Sequence, residues 1–456
     1  MRCVASSVLL VAACASASEL PPAAPSAAID VQTAAADRPA AVDSMLDTVD
    51  PAQLRASIEL LVGFGTRHTL SAADDPARGI GAAREAIAAH FRRSPRLRVA
   101  FDTHRVEPDG RRVDQPTDVV NVVATLPGTM PEAAARHYYV IGHYDSRVTD
   151  LMNRTADAPG ANDDGSGTAL VMELARVMSQ HDYDATIVFM ATAGEEQGLL
   201  GARAHAQAAR ERGVDVRAVL SNDIVGDPTG PGGARHDGAV RVFSIALPPE
   251  PDLDRMRTLA ATHDGPSRQL ARYVHEIGRL HALPVQAKLV FRRDRFLRGG
   301  DHTAFNEEGF AAVRFSEVEE NYDRQHQDVR TEGGRSFGDL AEHVDEGYLA
   351  GVARLNAASL AHLANAPSAP GNARIVAAAL SHDTTMRWDA SPEPDVAGYE
   401  VVWRDTTAPQ WTDTKDVGAA LQATLPMSKD NVFFGVRAYD AEGYRSPVRF
   451  MDVGTG

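Results

Sequence analysis

The sequence predicts an α/β protein, a mostly parallel twisted sheet flanked by helices, followed by a smaller all-β sandwich. Two observations predict it. Between residues 46 and 365, short apolar β-rich runs alternate with stretches of helical periodicity, the pattern of strands joined by crossover helices. After Asn365-Ala366-Pro367-Ser368-Ala369-Pro370-Gly371, a linker by composition, that periodicity disappears and short strands between turn residues remain. A chain of 456 residues, 44% apolar and 24% charged, holds two or three domains with sizeable cores.

The first seventeen residues read as an export signal. Arg2 is the positive region, and Val4 to Ala13 is apolar but too short to span a bilayer. Val11-Ala12-Ala13-Cys14 resembles a bacterial lipobox, which implies cleavage before Cys14 and a lipid anchor there. Ordinary cleavage after Ala15-Ser16-Ala17 is the alternative, and either route exports the chain to the cell envelope, periplasm or medium. Residues 18–45, rich in Ala, Pro and Ser, read as a flexible tether. No other run reaches about 18 apolar residues, so no transmembrane helix is expected.

The first globular region spans 46–365. Asp50-Pro51 opens a helix with Leu54, Ile58, Leu61 and Val62 at helical spacing. Arg78 to Arg93 is a second, with Ile80, Ala83, Ile87 and Phe91 on one face. Val119–Val123 and Tyr138–Gly142 are strands, Ser166–Ser179 a helix, Thr186–Met190 a buried strand, and Gly198–Arg212 a helix. Ala218–Leu220, Val240–Phe243 and Ala311–Phe315 complete the strands. Ligands of such sheets bind beyond the carboxyl ends of the strands. In the second region, 369–456, strands are expected at Arg374–Leu380, Thr384–Asp389, Tyr399–Arg404 and Val432–Tyr439. This region is expected to be dispensable for hydrolysis of small peptides, because contacts between domains of one chain are often modest.

Acidic residues outnumber basic ones 62 to 46, a net charge of −16, which disfavours nucleic acid as a partner. No glycine-rich loop ends in Gly-Lys, so no P-loop is present. Cysteine occurs only at positions 3 and 14, which excludes thiol nucleophiles, thiolate ligands and disulfides from the rest. His275-Glu276 has Arg279 where a second zinc-binding histidine is needed, and Asp-Gly-Ser166-Gly does not fit a nucleophile elbow.

Five segments carry the chemistry: His143-Tyr144-Asp145-Ser146, Gly160-Ala161-Asn162-Asp163-Asp164-Gly165-Ser166-Gly167, Gly194-Glu195-Glu196, Ser221-Asn222-Asp223 and Asn321-Tyr322-Asp323-Arg324-Gln325-His326. The first, third and fourth directly follow apolar strands. Two imidazoles and several carboxylates, with no cysteine, suit divalent ions such as Zn²⁺. Taken singly, each segment has a structural reading. Glu195-Glu196 is then a solvated pair, His143 a hydrogen-bonded strand-end histidine, and Asp163-Asp164 a helix cap.

In this order the five resemble the co-catalytic di-zinc exopeptidase family that contains the secreted bacterial leucyl aminopeptidases, over roughly residues 50–360. The resemblance implies the zinc exopeptidase fold and two Zn²⁺ per chain. It implies that Asp163 bridges the metals, that Glu196 and His326 complete one site, and that His143 and Asp223 complete the other. Glu195 is then the general base, acting on a metal-activated bridging water, and Asp145 orients His143. A cis peptide is implied at Asp163–Asp164. Three ligand carboxylates leave two Zn²⁺ one net positive charge, which an ionised water balances. The implied activity is removal of N-terminal residues from peptide substrates. Asp301-His302, after Gly299-Gly300, also matches a family segment, with a helix cap as the alternative.

Within the same fold, glutaminyl cyclases use one zinc and lack the Asp-Asp-x-Ser-Gly continuation. Glutamate carboxypeptidase relatives recognise a substrate carboxylate with arginines, and Arg292, Arg293, Arg295 and Arg298 crowd the segment before Gly299. A tyrosine that aminopeptidase members carry near this place has no counterpart here. An inactive binding protein is a further alternative, opposed by the intact ligand set. The last 88 residues resemble fibronectin type III domains through Trp388-Asp389, Pro394 to Val401, Val436 to Asp440 and Ser446-Pro447, with Phe433 or Phe434 where the family has a corner tyrosine.

Overall fold

A computed structural model describes residues 38–378 and 380–454. The leader, Cys14 and the alternative cleavage site lie outside the described residues. The larger unit runs α1 (Ala40–Leu46), α2 (Pro51–Val62), α3 (Ile80–Phe91), β1 (Arg98–Val106), β2 (Thr117–Leu126), β3 (Arg136–His143), α4 (Gly165–Met178) and β4 (Thr186–Thr192). It continues through α5 (Leu200–Glu211), β5 (Asp215–Asn222), β6 (Ala239–Ser244), α6 (Leu253–Leu259), α7 (Pro266–Leu280), β7 (Gln286–Val290), α8 (His302–Glu307) and β8 (Ala312–Ser316). A hairpin of β9 (Arg330–Glu332) and β10 (Arg335–Phe337) precedes α9 (Glu346–Asn365).

The eight strands β1 to β8 form one sheet in the order β1-β2-β4-β3-β5-β8-β6-β7. Its centre, β4-β3-β5-β8, is parallel, as is β6/β7. The sheet is mostly parallel, as expected, with antiparallel pairs toward its margins at β1/β2, β2/β4 and β6/β8. The first of these follows from the connection: residues 107–116 join β1 to β2 without a crossover helix. Alternate residues of the central strands enter two cores. Tyr138 and Val140 of β3 pack with Leu170 and Leu174 of α4, whereas Tyr139 and Ile141 pack with Ala202 and Ala206 of α5 and Phe305 of α8. The result is three layers, with β3 and β4 buried on both faces.

Helix α1 corrects the expected tether boundary. Ala40–Leu46 lies almost wholly inside 18–45, yet Val42, Met45 and Leu46 are buried at the i, i+3, i+4 spacing that gives a helix one apolar face. Helices α7 and α9 were not identified from sequence. Among the described residues no helix is long and apolar enough to cross a membrane.

The smaller unit holds β11 (Gly371–Val376), β12 (Thr384–Asp389), β13 (Val396–Asp405), β14 (Asp413–Asp416), β15 (Gln422–Leu425), β16 (Val432–Asp440), β17 (Arg449–Phe450) and β18 (Asp452–Gly454). Two four-stranded sheets, β15-β12-β11-β18 and β14-β13-β16-β17, enclose one core with Trp388, Tyr399, Val401, Phe434 and Val436. The unit docks on α7 through buried polar contacts, more intimately than the sequence suggested. Arg404 Nη2 lies 2.9 Å from both carboxylate oxygens of Asp264. Arg272 Nε donates to the Pro409 carbonyl at 2.6 Å, and Trp411 Nε1 donates to Gln269 at 3.0 Å.

Candidate metal centre

The five expected ligands come from five different segments, and the sheet brings them together. His143 ends β3, Asp163 precedes α4, Glu196 follows β4, Asp223 follows β5, and His326 sits beyond β8. One donor atom each of Asp163, Glu196 and His326 lie within 4.8 Å of one another, as do those of His143, Glu195 and Asp223. Asp163 faces both groups with different oxygens. Its Oδ1 is 3.2 Å from His143 Nε2 and its Oδ2 is 3.0 Å from His326 Nε2. Glu196 Oε1 is 3.1 Å from His326 Nε2, and Asp223 Oδ1 is 3.8 Å from His143 Nε2.

The residues fit a metal pair by a further observation. His143 Nε2, Asp163 Oδ2, Glu196 Oε1 and Asp223 Oδ1 are buried without a hydrogen-bond partner. Four such atoms converging on one spot are costly unless a cation satisfies them. Burial pushes the Asp163 carboxyl up, but His326 and His143 outweigh it and hold it well below the usual range. Burial, reinforced by the nearby carboxylates of Asp223, Glu196 and Asp301, pushes Glu195 well above its usual range.

Asp145 meets the second ring nitrogen of His143 chiefly through its backbone. Its carbonyl is 3.1 Å from His143 Nδ1 and its Oδ1 is 3.5 Å away. Its carboxylate also accepts the backbone N–H groups of Glu195 and Glu196 at 3.3 and 3.1 Å and the Thr69 hydroxyl at 2.9 Å. It thereby fixes one histidine and the glutamate turn together. Asp164 is the cap of α4, accepting Gly167 N at 2.9 Å, and it also accepts His143 N at 3.0 Å. Of the two adjacent aspartates, Asp163 thus faces the candidate centre and Asp164 caps the helix, across the cis peptide at Asp163–Asp164.

Asp301 makes no capping hydrogen bond to α8, and its carboxylate instead accepts the Thr192 hydroxyl. Of the arginine cluster, Arg293 pairs with Glu307, and Arg295 pairs with Asp294 and Glu320. Arg298 alone of these reaches the centre, 4.0 Å from Asp163 Oδ2.

Four residues of the site escaped sequence reasoning. Arg147 lies 3.1 Å from Glu196 Oε2, and proximity to His143-Tyr144-Asp145 was the available signal. Asp339 accepts the N–H groups of Asn162 and Asp163 at 2.8 and 2.7 Å, and so positions the central aspartate. Arg67, fully buried, donates to the carbonyls of Tyr144, Pro159 and Gly160. Arg314 holds Asp223.

A mixed sheet with a parallel centre, carrying carboxylates and imidazoles at its strand ends, defines a class of metal-dependent hydrolases. Residues 121–344 match Peptidase family M28. A probable zinc metalloprotease of Leptosphaeria maculans is 44% identical over 414 residues, 89% of this chain and 95% of its own length. Another, of Pyricularia oryzae, is 46% identical over 451 residues, 96% of this chain and 88% of its own. The chain belongs to peptidase family M28. Among solved structures, the Legionella pneumophila LapA aminopeptidase has a TM-score of 0.50 at 19% identity, covering 72% of this chain and 76% of that one. The aminopeptidase from Aneurinibacillus sp. strain AM-1 has a TM-score of 0.51 at 14% identity, covering 71% and 96%. Both likenesses concern the fold.

Proposed function

We propose that the protein is a zinc-dependent aminopeptidase with two Zn²⁺ per chain. One observation carries the reading: Asp163 turns one oxygen toward His143 and the other toward His326, so two three-ligand sets share it. The relatives named as zinc metalloproteases support zinc as the metal, and the donor set agrees. Asp163, Glu196 and His326 would hold one ion, and Asp163, His143 and Asp223 the other. The ions would supply Lewis-acid polarisation of the scissile carbonyl and acidify the attacking water. Glu195, whose N–H Asp145 holds at the rim of both sets, would be the general base that accepts a proton from water and passes it to the leaving amine. Asp145 and Asp339 keep His143 and Asp163 from turning away.

A site so rich in carboxylates favours a substrate anchored by its free α-amine. Arg298 is the opposing feature, a cation 4.0 Å from Asp163 that suits a substrate carboxylate. Time-resolved mass spectrometry of a decapeptide, free and N-acetylated, separates the two. Shortening of the free peptide alone, from its N-terminus, is expected. A ladder from the C-terminus would overturn the assignment, and processing of an N-terminal glutamine without chain shortening would favour cyclase chemistry.

The strand order of the smaller unit supports the fibronectin type III reading, and the leader supports export. Mass measurement of the mature N-terminus distinguishes a lipidated Cys14 from cleavage after Ala17.

A further inference from the structure

We propose that Arg314 is a positioning residue that makes Asp223 a single-oxygen ligand, so that the zinc on His143 and Asp223 depends on it while the zinc on Glu196 and His326 does not. The inference rests on the two-zinc reading above. Arg314 is on β8, beside β5, and none of its surface is exposed. Its Nη2 lies 2.9 Å from Asp223 Oδ2, and its Nη1 lies 3.4 Å from Asp294 Oδ2 and also donates to the Gly299 carbonyl. With Oδ2 turned to Arg314, Oδ1 is the Asp223 oxygen that faces the centre, and it is the one left without a partner beside His143. A buried guanidinium fits two carboxylates at once because its donors form a rigid planar fork.

Gly300 belongs to the same device. A Cβ there would stand 2.7 Å from Arg314 Nη1. The guanidinium is pinned on three sides and cannot yield without releasing Asp223. Neither Glu196 nor His326 touches Arg314, so the other set should be indifferent.

The test is a zinc titration of metal-free wild type, Arg314→Met and Gly300→Ala in chelator-buffered zinc, reading bound metal and restored hydrolysis, with thermal melts as a folding check. Outer partners of metal ligands typically contribute 10–100-fold in metal affinity. In both variants one binding midpoint should weaken by that factor while the other stays fixed, and hydrolysis should recover at high zinc. A merely structural lesion would not respond to zinc in that way. Losing a cation beside a ligand could by itself strengthen zinc binding. An unchanged or tighter midpoint, or equal loss of both ions, would overturn the proposal. If Arg314→Met does not fold, Gly300→Ala, which removes no charge, decides alone. A wild type that binds only one zinc refutes the two-zinc reading instead.

Discussion

Glu195 and Glu196 are adjacent, yet they reach different ligand groups, Glu195 toward His143 and Asp223 and Glu196 toward Asp163 and His326, and Asp145 accepts both of their N–H groups and so fixes the turn between them. Glu195→Gln keeps that turn and every proposed ligand. It is expected to lower kcat by about 10²–10⁴-fold, the usual worth of a general base, with zinc content unchanged. Full activity would remove the assigned role. Asp164 makes the complementary case for stability. It is buried and receives His143 N and Gly167 N, so one carboxylate joins the end of β3 to the start of α4. Asp164→Ala leaves both donors without a partner at roughly 1–3 kcal/mol each. Urea denaturation should register a loss of at least about 2 kcal/mol.

At the scale of elements, the site depends on how closely β3 approaches α4. Gly142 permits it: a Cβ there would lie 2.6 Å from the backbone carbonyl carbon of Gly167. Gly142→Ala must push strand from helix, at about 1–3 kcal/mol, and it displaces the neighbouring His143. A lower melting temperature together with weaker zinc binding is expected, and a variant with wild-type values of both would contradict the argument. The proposed ligands were readable because each sits in a short motif, and His143, Glu196 and Asp223 stand at or just after strand ends, where local sequence fixes both strand and exit. Arg314, Arg67 and Asp339 were not, because they meet the site only through tertiary packing; Arg314 and Asp223 are 91 residues apart. Helix α9 offers no stripe to read, since residues all round it are buried. Helix α7 has one, in Leu270, Val274 and Ile277, but Arg268 and Arg272 also lie on its buried side and break the pattern.

For the molecule as a whole, Arg404 and Asp264 tie the two units together. Arg404→Ala leaves the buried Asp264 carboxylate with Arg272 and the Gln269 amide but without its bidentate partner, and breaking such pairs typically costs about 3–5 kcal/mol. Denaturant unfolding is expected to show most of that loss, and removal of residues 369–456 is expected to lower stability further. A truncated chain as stable as the intact one would show that the seam contributes little. Acidic groups also line this seam. Burial, then Asp395, pushes Asp184 up to about 6, and burial pushes Asp440 up to about 6. Unfolded aspartates titrate near 4. Between about pH 4 and pH 6 these two groups therefore hold more protons in the folded chain than in the unfolded one, and their contribution to stability falls as pH rises through that window. Asp184→Asn should melt higher than wild type at pH 7.5, and the gap should close toward pH 4. A gap independent of pH would mean that ionisation of Asp184 is not its source.

The five proposed ligands lie between positions 143 and 326, in segments next to β3, α4, β4, β5 and β8 that the fold brings together. The proposed set of Asp163, His143 and Asp223 needs only the pairing of β3 with β5, whereas the set of Asp163, Glu196 and His326 waits for the segment after β8. On the two-zinc proposal, the ion beside His326 would therefore be the later of the two to find its ligands.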